Sequence, residues 1–220
     1  MSVWARRVSA MAAAAAILAP LAHGAQTGHD HGFHGAQQWA KVFDDPRRDA
    51  WQKPHEVIRA LGLAPDAVVA DIGAGTGYFT MRLAHMASRG RVYAVDAEPD
   101  MVAYLERRAR ESGLANVRAV QASGDDPRLP EKADVILFVD VYHHIADRER
   151  YFARLRNALK AGGRLAIVDF RMDAPMGPPR SGRISPDAVK RELAGAGYTL
   201  AAEHDFLPYQ YYLVFRPQAQ

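Results

Sequence analysis

The chain has no cysteine. That absence removes disulfide staples, thiolate metal centres, thiol nucleophiles and lipid attachment through a terminal cysteine. Basic runs interleaved with aromatics are also missing. Arginines such as Arg107, Arg108 and Arg110 are scattered along a helical stretch, which reads as a solvated helix face rather than a nucleic-acid track. A formal net charge of +3 is modest and implies no polyanionic partner. The longest apolar run of the N-terminal segment, Met11 to Ala19, is too short to span a bilayer, so no stable membrane insertion is expected. The dinucleotide fingerprint Gly-x-Gly-x-x-Gly does not occur where a glycine turn is otherwise evident.

What is present suffices for one α/β domain. Over 220 residues, 49% hydrophobic and 24% charged composition supports a full core, and no second domain is needed. Residues 1–24 have the parts of an export leader: Arg6 and Arg7, the apolar centre, and the small-residue site Ala22-His23-Gly24. Cleavage after Gly24 would place the mature protein in the periplasm or outside the cell, with an uncleaved anchor or a wrongly assigned start as the alternatives; if the signal is not used, the protein is cytoplasmic. Residues 25–36 form a His/Gly-rich linker. Its His29, His31 and His34 read either as a tethered metal site or as a polar spacer. The domain proper is expected over 37–220. It opens with helical spacing from Gln37 to Leu63, broken at Asp44-Asp45-Pro46 and restarted at Lys53-Pro54.

The chain is organised around Val68 to Thr80. A short apolar run suited to a strand buried on both faces meets Gly73, Gly75 and Gly77 on alternate positions, and a helical pattern starts at Tyr78. Glycines there allow a tight reversal and close approach of a ligand to the backbone. Relative to the dinucleotide fingerprint the third glycine comes one residue early, and Asp71 stands two residues before the first. An acid in that place repels a pyrophosphate and welcomes an ammonium group, which argues against a nicotinamide-dependent oxidoreductase. The combination resembles motif I of the class I S-adenosylmethionine (SAM) dependent methyltransferases, in the small-molecule branch. The likeness, including Lys-x-Gly-Gly-x-Leu at Lys160 to Leu165, runs in register from about Val57 to Phe170.

The resemblance implies a Rossmann-like seven-stranded α/β sheet, mostly parallel with an antiparallel last strand and helices on both faces. It also implies SAM as cofactor. Asp71, Gly73, Gly75 and Gly77 would line the first turn. A second strand, Arg91 to Asp96, ends in an acid placed to accept from ribose hydroxyls; Ala97 and Met101 are the expected neighbours of adenosine. After a third strand, Asn116 to Val120, an acid would receive the adenine amino group. Asp125 fits when counted back from Leu129-Pro130, with Asp126 the alternative and a plain turn an equal reading.

The fourth strand, Asp134 to Asp140, lies next to the first where strand order switches, so Asp140, Tyr142, His143 and His144 are expected near the reacting methyl. His143 or His144 is the candidate general base for an acceptor that must lose a proton. A helix from Tyr151 to Leu159, ended by Lys160 to Gly163, precedes a fifth strand, Arg164 to Phe170. A mobile Pro/Gly-rich loop follows over Met172 to Ser185, then a helix capped by Ser185 and a hairpin of Thr199 to Phe206 with Gln210 to Phe215. Tyr209, Tyr211 and Tyr212 read as packing. In the N-terminal helices, Trp39, Phe43, Arg47, Trp51 and His55 are candidates to face the substrate.

The expected function is methyl transfer to an O, C, N or S atom of a small molecule. Asp140-Val141-Tyr142-His143 stands where an Asn-Pro-Pro-Tyr element would mark an N-methyltransferase of adenine or glutamine amide. The alternative is an exported, non-catalytic protein that keeps the fold to bind a ligand or metal. An export leader and a cytosolic cofactor stand in tension, which an unused leader, loading before export, or a different ligand would each resolve.

Overall fold

Strand β1 (Val68–Ile72) is buried at all of its positions, a pattern that only a central parallel strand covered on both faces satisfies. The computed structural model, which describes residues 35–218, places it there. On one side of it lie β2 (Arg91–Asp96) and β3 (Val117–Gln121), and on the other β4 (Ala133–Val139) and β5 (Leu159–Phe170). A hairpin of β6 (Tyr198–His204) and β7 (Gln210–Pro217) completes the sheet. Its order is β3-β2-β1-β4-β5-β7-β6, with β7 antiparallel to β5 and β6 antiparallel to β7. Strand order therefore reverses between β1 and β4, where ligands of open α/β sheets collect at the carboxyl ends.

Successive side chains point to opposite faces, so each central strand feeds two cores. Val69 and Leu137 pack with Val57 and Leu61 of α3 (Pro54–Leu61), Phe79 and Leu83 of α4 (Tyr78–Met86) and Leu105 of α5 (Pro99–Glu111). Val68, Ile136 and Phe138 pack with Phe152 of α6 (Arg148–Leu155) and with Val189 and Leu193 of α7 (Pro186–Gly195). The Ser185 hydroxyl accepts from the Ala188 amide with Pro186 in the first turn, the expected cap. Ahead of the sheet, α1 (Ala36–Phe43), a 3₁₀ turn at Pro46–Arg48 and α2 (Asp49–Gln52) form a strap. The break at Asp45 and the restart at Pro54 fall where the prolines put them.

Two segments differ from expectation. Strand β5 begins at Leu159, which pairs with Ala133; the register then jumps to Val135 opposite Arg164, so Lys160 to Gly163 is a bulge within the strand and not the end of a helix. The loop before α7 is pinned where mobility was expected. The Arg183 guanidinium donates to the carbonyls of Arg171, Ala174, Met176 and Pro178 at 2.7–3.1 Å, and Gly177 lies against the ring of Phe170. A proline- and glycine-rich loop offers carbonyls but few internal donors, and one half-buried arginine supplies them. The leader and the His29, His31, His34 cluster lie outside the described residues. Among the described residues, no group of three or more His, Cys, Asp or Glu is placed to hold a metal, and no helix is long and apolar enough to cross a membrane.

Candidate active site

Gly73, Gly75 and Gly77 all have positive φ, at 69°, 55° and 91°, a conformation that L side chains resist. A Cβ on Gly73 would stand 2.3 Å from a methyl of Val141, and one on Gly77 2.9 Å from both Leu105 and Met81. The turn is therefore bare backbone by necessity, and its first residue touches the segment that follows β4. The turn is also tied to β2: the amides of Gly73 and Ala74 donate to the Val95 carbonyl at 2.8 and 3.0 Å.

Asp96 binds the turn directly. One oxygen accepts from the Gly75 amide at 2.8 Å and the other from the Glu98 amide at 3.0 Å. Burial raises its pKa, against the pull of those amides. Asp71 lies close enough for the Asp96 charge to reach it, but its carboxylate turns inward, accepting from the Thr80 hydroxyl of α4 at 2.6 Å. Burial pushes Asp71 up to about 6, with Thr80 opposing. Its place in this structure is beneath the turn, where it joins β1 to α4.

Ala97 is exposed just beyond Asp96, and Met101 on α5 is fully buried yet belongs to neither core. Asp125 is not at the strand end. β3 stops at Gln121, Ala122 and Ser123 follow directly, and Asp125 sits on an exposed turn where Arg154 pairs with it. Asp126 closes that turn by accepting from the Arg128 amide. Both acids thus lie on the loop that follows β3, with Asp125 held by Arg154 and Asp126 by the Arg128 amide.

On the other side of the switch, His143 lies in a 3₁₀ turn, Tyr142–His144, directly after β4. Its ring Nδ1 is 2.9–3.0 Å from both oxygens of Asp169, and its backbone amide donates to the same carboxylate at 3.2 Å. A carboxylate only accepts, so Nδ1 carries the hydrogen and Nε2 is left as the basic nitrogen. Burial lowers the imidazole pKa, but the hydrogen bond and charge of Asp169, with Asp140 behind it, hold it above the ordinary histidine value. The neighbouring Tyr142 is fixed by stacking on Phe152 and by its hydroxyl donating to Glu192 at 2.7 Å. His144 is exposed, its ring 4.1 Å from that of His143. The pair thus divides: the His143 ring is paired with Asp169, and His144 is exposed beside it.

Asp140 has φ of 59°, strained for a residue with a Cβ. Gln52 of α2 donates to one of its oxygens at 2.8 Å and Gln210 of β7 to the other. The Arg48 guanidinium stands 3.9 Å away. Burial and the charge of Asp169 push Asp140 up to about 7. The Gln210 carbonyl oxygen and the Tyr211 hydroxyl are buried here without a protein partner. Sequence reading had not singled out Asp169, Gln52, Arg48 or Gln210. One signal was available: an acid at or next to the carboxyl end of each of four parallel strands, Asp71, Asp96, Asp140 and Asp169.

The strap covers both halves. Phe43 lies at 3.4 Å from where a Gly75 Cβ would be and stacks on Trp39; Asp44 accepts from Thr76 and Arg108, and Asp49 from Tyr78 and Arg82. Trp51 faces Phe170 at 5.7 Å and Tyr209 at 6.5 Å. Arg47 and His55, read as candidates to face the substrate, lie on the outer surface. Arg47 has 91% of its side chain exposed and pairs with Asp45, and His55 is on the outer side of α3. Arg48 and Gln52 point inward in their place. Tyr211 and Tyr212 are buried, in line with packing.

A family model described as a methyltransferase domain matches residues 63–196. A demethylmenaquinone methyltransferase of Thermus thermophilus is 31% identical over 121 residues, covering 54% of each chain. A ubiquinone/menaquinone biosynthesis C-methyltransferase of Shewanella piezotolerans is 28% identical over 116 residues, covering 51% of this chain and 46% of the relative. The chain spans about half or less of the length of such curated relatives. A SAM-dependent methyltransferase from Aquifex aeolicus superposes with a TM-score of 0.75 at 25% identity, covering 82% of this chain and 97% of that one. A match over more than half of the chain, taking in the glycine turn, Asp96 and the Asp140 to His143 edge, makes this protein a member of the S-adenosylmethionine-dependent methyltransferase family.

Proposed function

We propose that the protein transfers a methyl group from SAM to a nucleophilic atom of a small molecule, with His143 as the base. The observation that carries this reading is the buried His143–Asp169 pair, set at the carboxyl ends of β4 and β5 beside the glycine turn. The turn suits SAM. Gly73, Gly75 and Gly77 present backbone without side chains, and Asp96, held by the Gly75 amide, keeps lone pairs for ribose hydroxyls. The cofactor supplies an activated methyl, so the protein's share is alignment, exclusion of water and removal of a proton. Trp51, Phe170 and Tyr209 offer an aromatic wall for the acceptor, and Asp169 keeps Nε2 of His143 basic. Alignment of this kind is worth about 7–11 kcal/mol, and a positioned base adds about 10²–10⁴-fold.

Calorimetry with SAM, followed by a methyl-donor screen over phenols, quinones, amines and thiols, tests the assignment. Because His143 must be neutral to accept a proton, kcat/KM should rise with pH through a value above 6.5, and His143→Gln should flatten that limb. Absence of SAM binding would overturn the reading. We also propose that residues 1–24 direct export with cleavage after Gly24; N-terminal sequencing of the protein from fractionated cells tests this, and an intact Met1 in the cytosol would refute it.

A further inference from the structure

We propose that the Asp140 carboxylate is the counter-charge for the sulfonium end of the cofactor, and the group by which the site distinguishes SAM from its demethylated product, S-adenosylhomocysteine. The inference rests on the methyltransferase reading and extends it to how one ligand is admitted and the other released. Asp140 stands at the reversal of strand order, and the next residue, Val141, fills the space where Gly73 lacks a side chain. That adjacency places the acid between the turn suited to SAM and the His143–Asp169 pair.

The groups around Asp140 leave negative charge in excess. Arg48 faces it from the 3₁₀ turn, Gln52 from α2, His143 from the turn after β4, Asp169 from β5, and Gln210 and Tyr211 from β7. With the His143 imidazole neutral, as a base must be, two carboxylates thus share one guanidinium, and the carboxamides are neutral. Both amides grip Asp140 through their NH₂ groups, which fixes its oxygens and keeps it from turning to another partner. A buried carboxylate so placed takes a proton when alone, and burial with the Asp169 charge raises Asp140 to do so near neutrality.

A cation in the site replaces that proton. Transfer breaks the sulfur–methyl bond, its electron pair stays on sulfur as a neutral thioether, and the acceptor's lone pair forms the new bond to the methyl carbon. The acceptor's proton passes to His143. With the sulfonium charge gone, Asp140 regains a proton by way of His143, whose charge it already feels. The protein then holds the product without a counter-ion to bind.

Calorimetry on the full chain, with SAM and with S-adenosylhomocysteine in buffers of different ionisation enthalpy at pH 6, 7 and 8.5, counts the protons. SAM should release most of one proton at pH 6, about half at pH 7 and little at pH 8.5, while the product releases none. Asp140→Asn should weaken SAM about tenfold or more, leave the product within about twofold, and abolish the release. His143→Gln should keep the release, which separates Asp140 from the imidazole as its source. Equal proton counts for the two ligands on the unmutated protein, a measurement that needs no variant to fold, would overturn the proposal. So would equal loss of affinity for both ligands in Asp140→Asn. If neither ligand binds the unmutated protein, the methyltransferase reading itself falls.

Discussion

Around the glycine turn, the acids on β1 and β2 find partners close by in the chain: Asp71 and Thr80 are 9 residues apart, Asp96 and the Gly75 amide 21. Across the strand-order switch the separations lengthen. His143 and Asp169 are 26 apart, Asp140 and Gln210 70, and Asp140 and Gln52 88. The glycine-turn half is built largely from backbone donors and conformations that one βαβ unit imposes. The half across the switch is assembled from side chains on β4, β5, β7 and the strap. The first should therefore tolerate change elsewhere in the molecule, whereas the second depends on the sheet being complete.

The contact between the halves is the place to break this division. Gly73→Val puts a branched side chain at positive φ and against Val141, and should abolish SAM binding and cost about 3 kcal/mol of stability, read by calorimetry and thermal melting. Asp169→Asn should act mainly on the imidazole. It unsettles the tautomer of His143 and should lower kcat by about 10²–10⁴-fold, while SAM affinity, which Asp140 still supports, falls less than in Asp140→Asn. A parallel loss of SAM affinity would show that the halves are not separable. Asp96→Ala is the converse change: it removes the acceptor for the Gly75 amide and should weaken SAM by about 10–100-fold, or about 1.5–3 kcal/mol.

The last effect leaves the ligand aside and is one of stability against pH. Asp71 is raised from 3.8 to about 6, so the folded state holds the proton more tightly than the unfolded chain between those values. Stability falls as pH climbs through that window and is level above it. Asp71→Asn should remove the fall. The variant should match the parent near pH 4 and exceed it by about 2–3 kcal/mol at pH 7, as measured by denaturant unfolding. A variant less stable at pH 7 would mean that the charged Thr80 pairing outweighs burial.

Much of the architecture was legible because it rests on local rules. Buried runs marked the central strands, Pro46 and Pro54 punctuated the strap, and Ser185 with Pro186 opened α7. Reading failed where a residue's partner was distant or a loop changed length. The pairing of Asp125 with Arg154 across 29 residues was not legible, Arg183 gave no hint of the carbonyls it gathers, and Arg47 was preferred to Arg48 because helical spacing does not survive a 3₁₀ break.

By itself, then, the amino-acid order determined the strand–glycine–helix unit, the acids at its two strand ends and the family that unit belongs to. Those features arise from steric and hydrogen-bonding preferences acting over a few residues. Which histidine pairs with a buried acid, which acid that is and what grips Asp140 were decided only when the sheet brought β4, β5, β7 and the strap to one edge. A carboxylate has no intrinsic partner, and burial selects one from whatever the fold places within hydrogen-bonding reach.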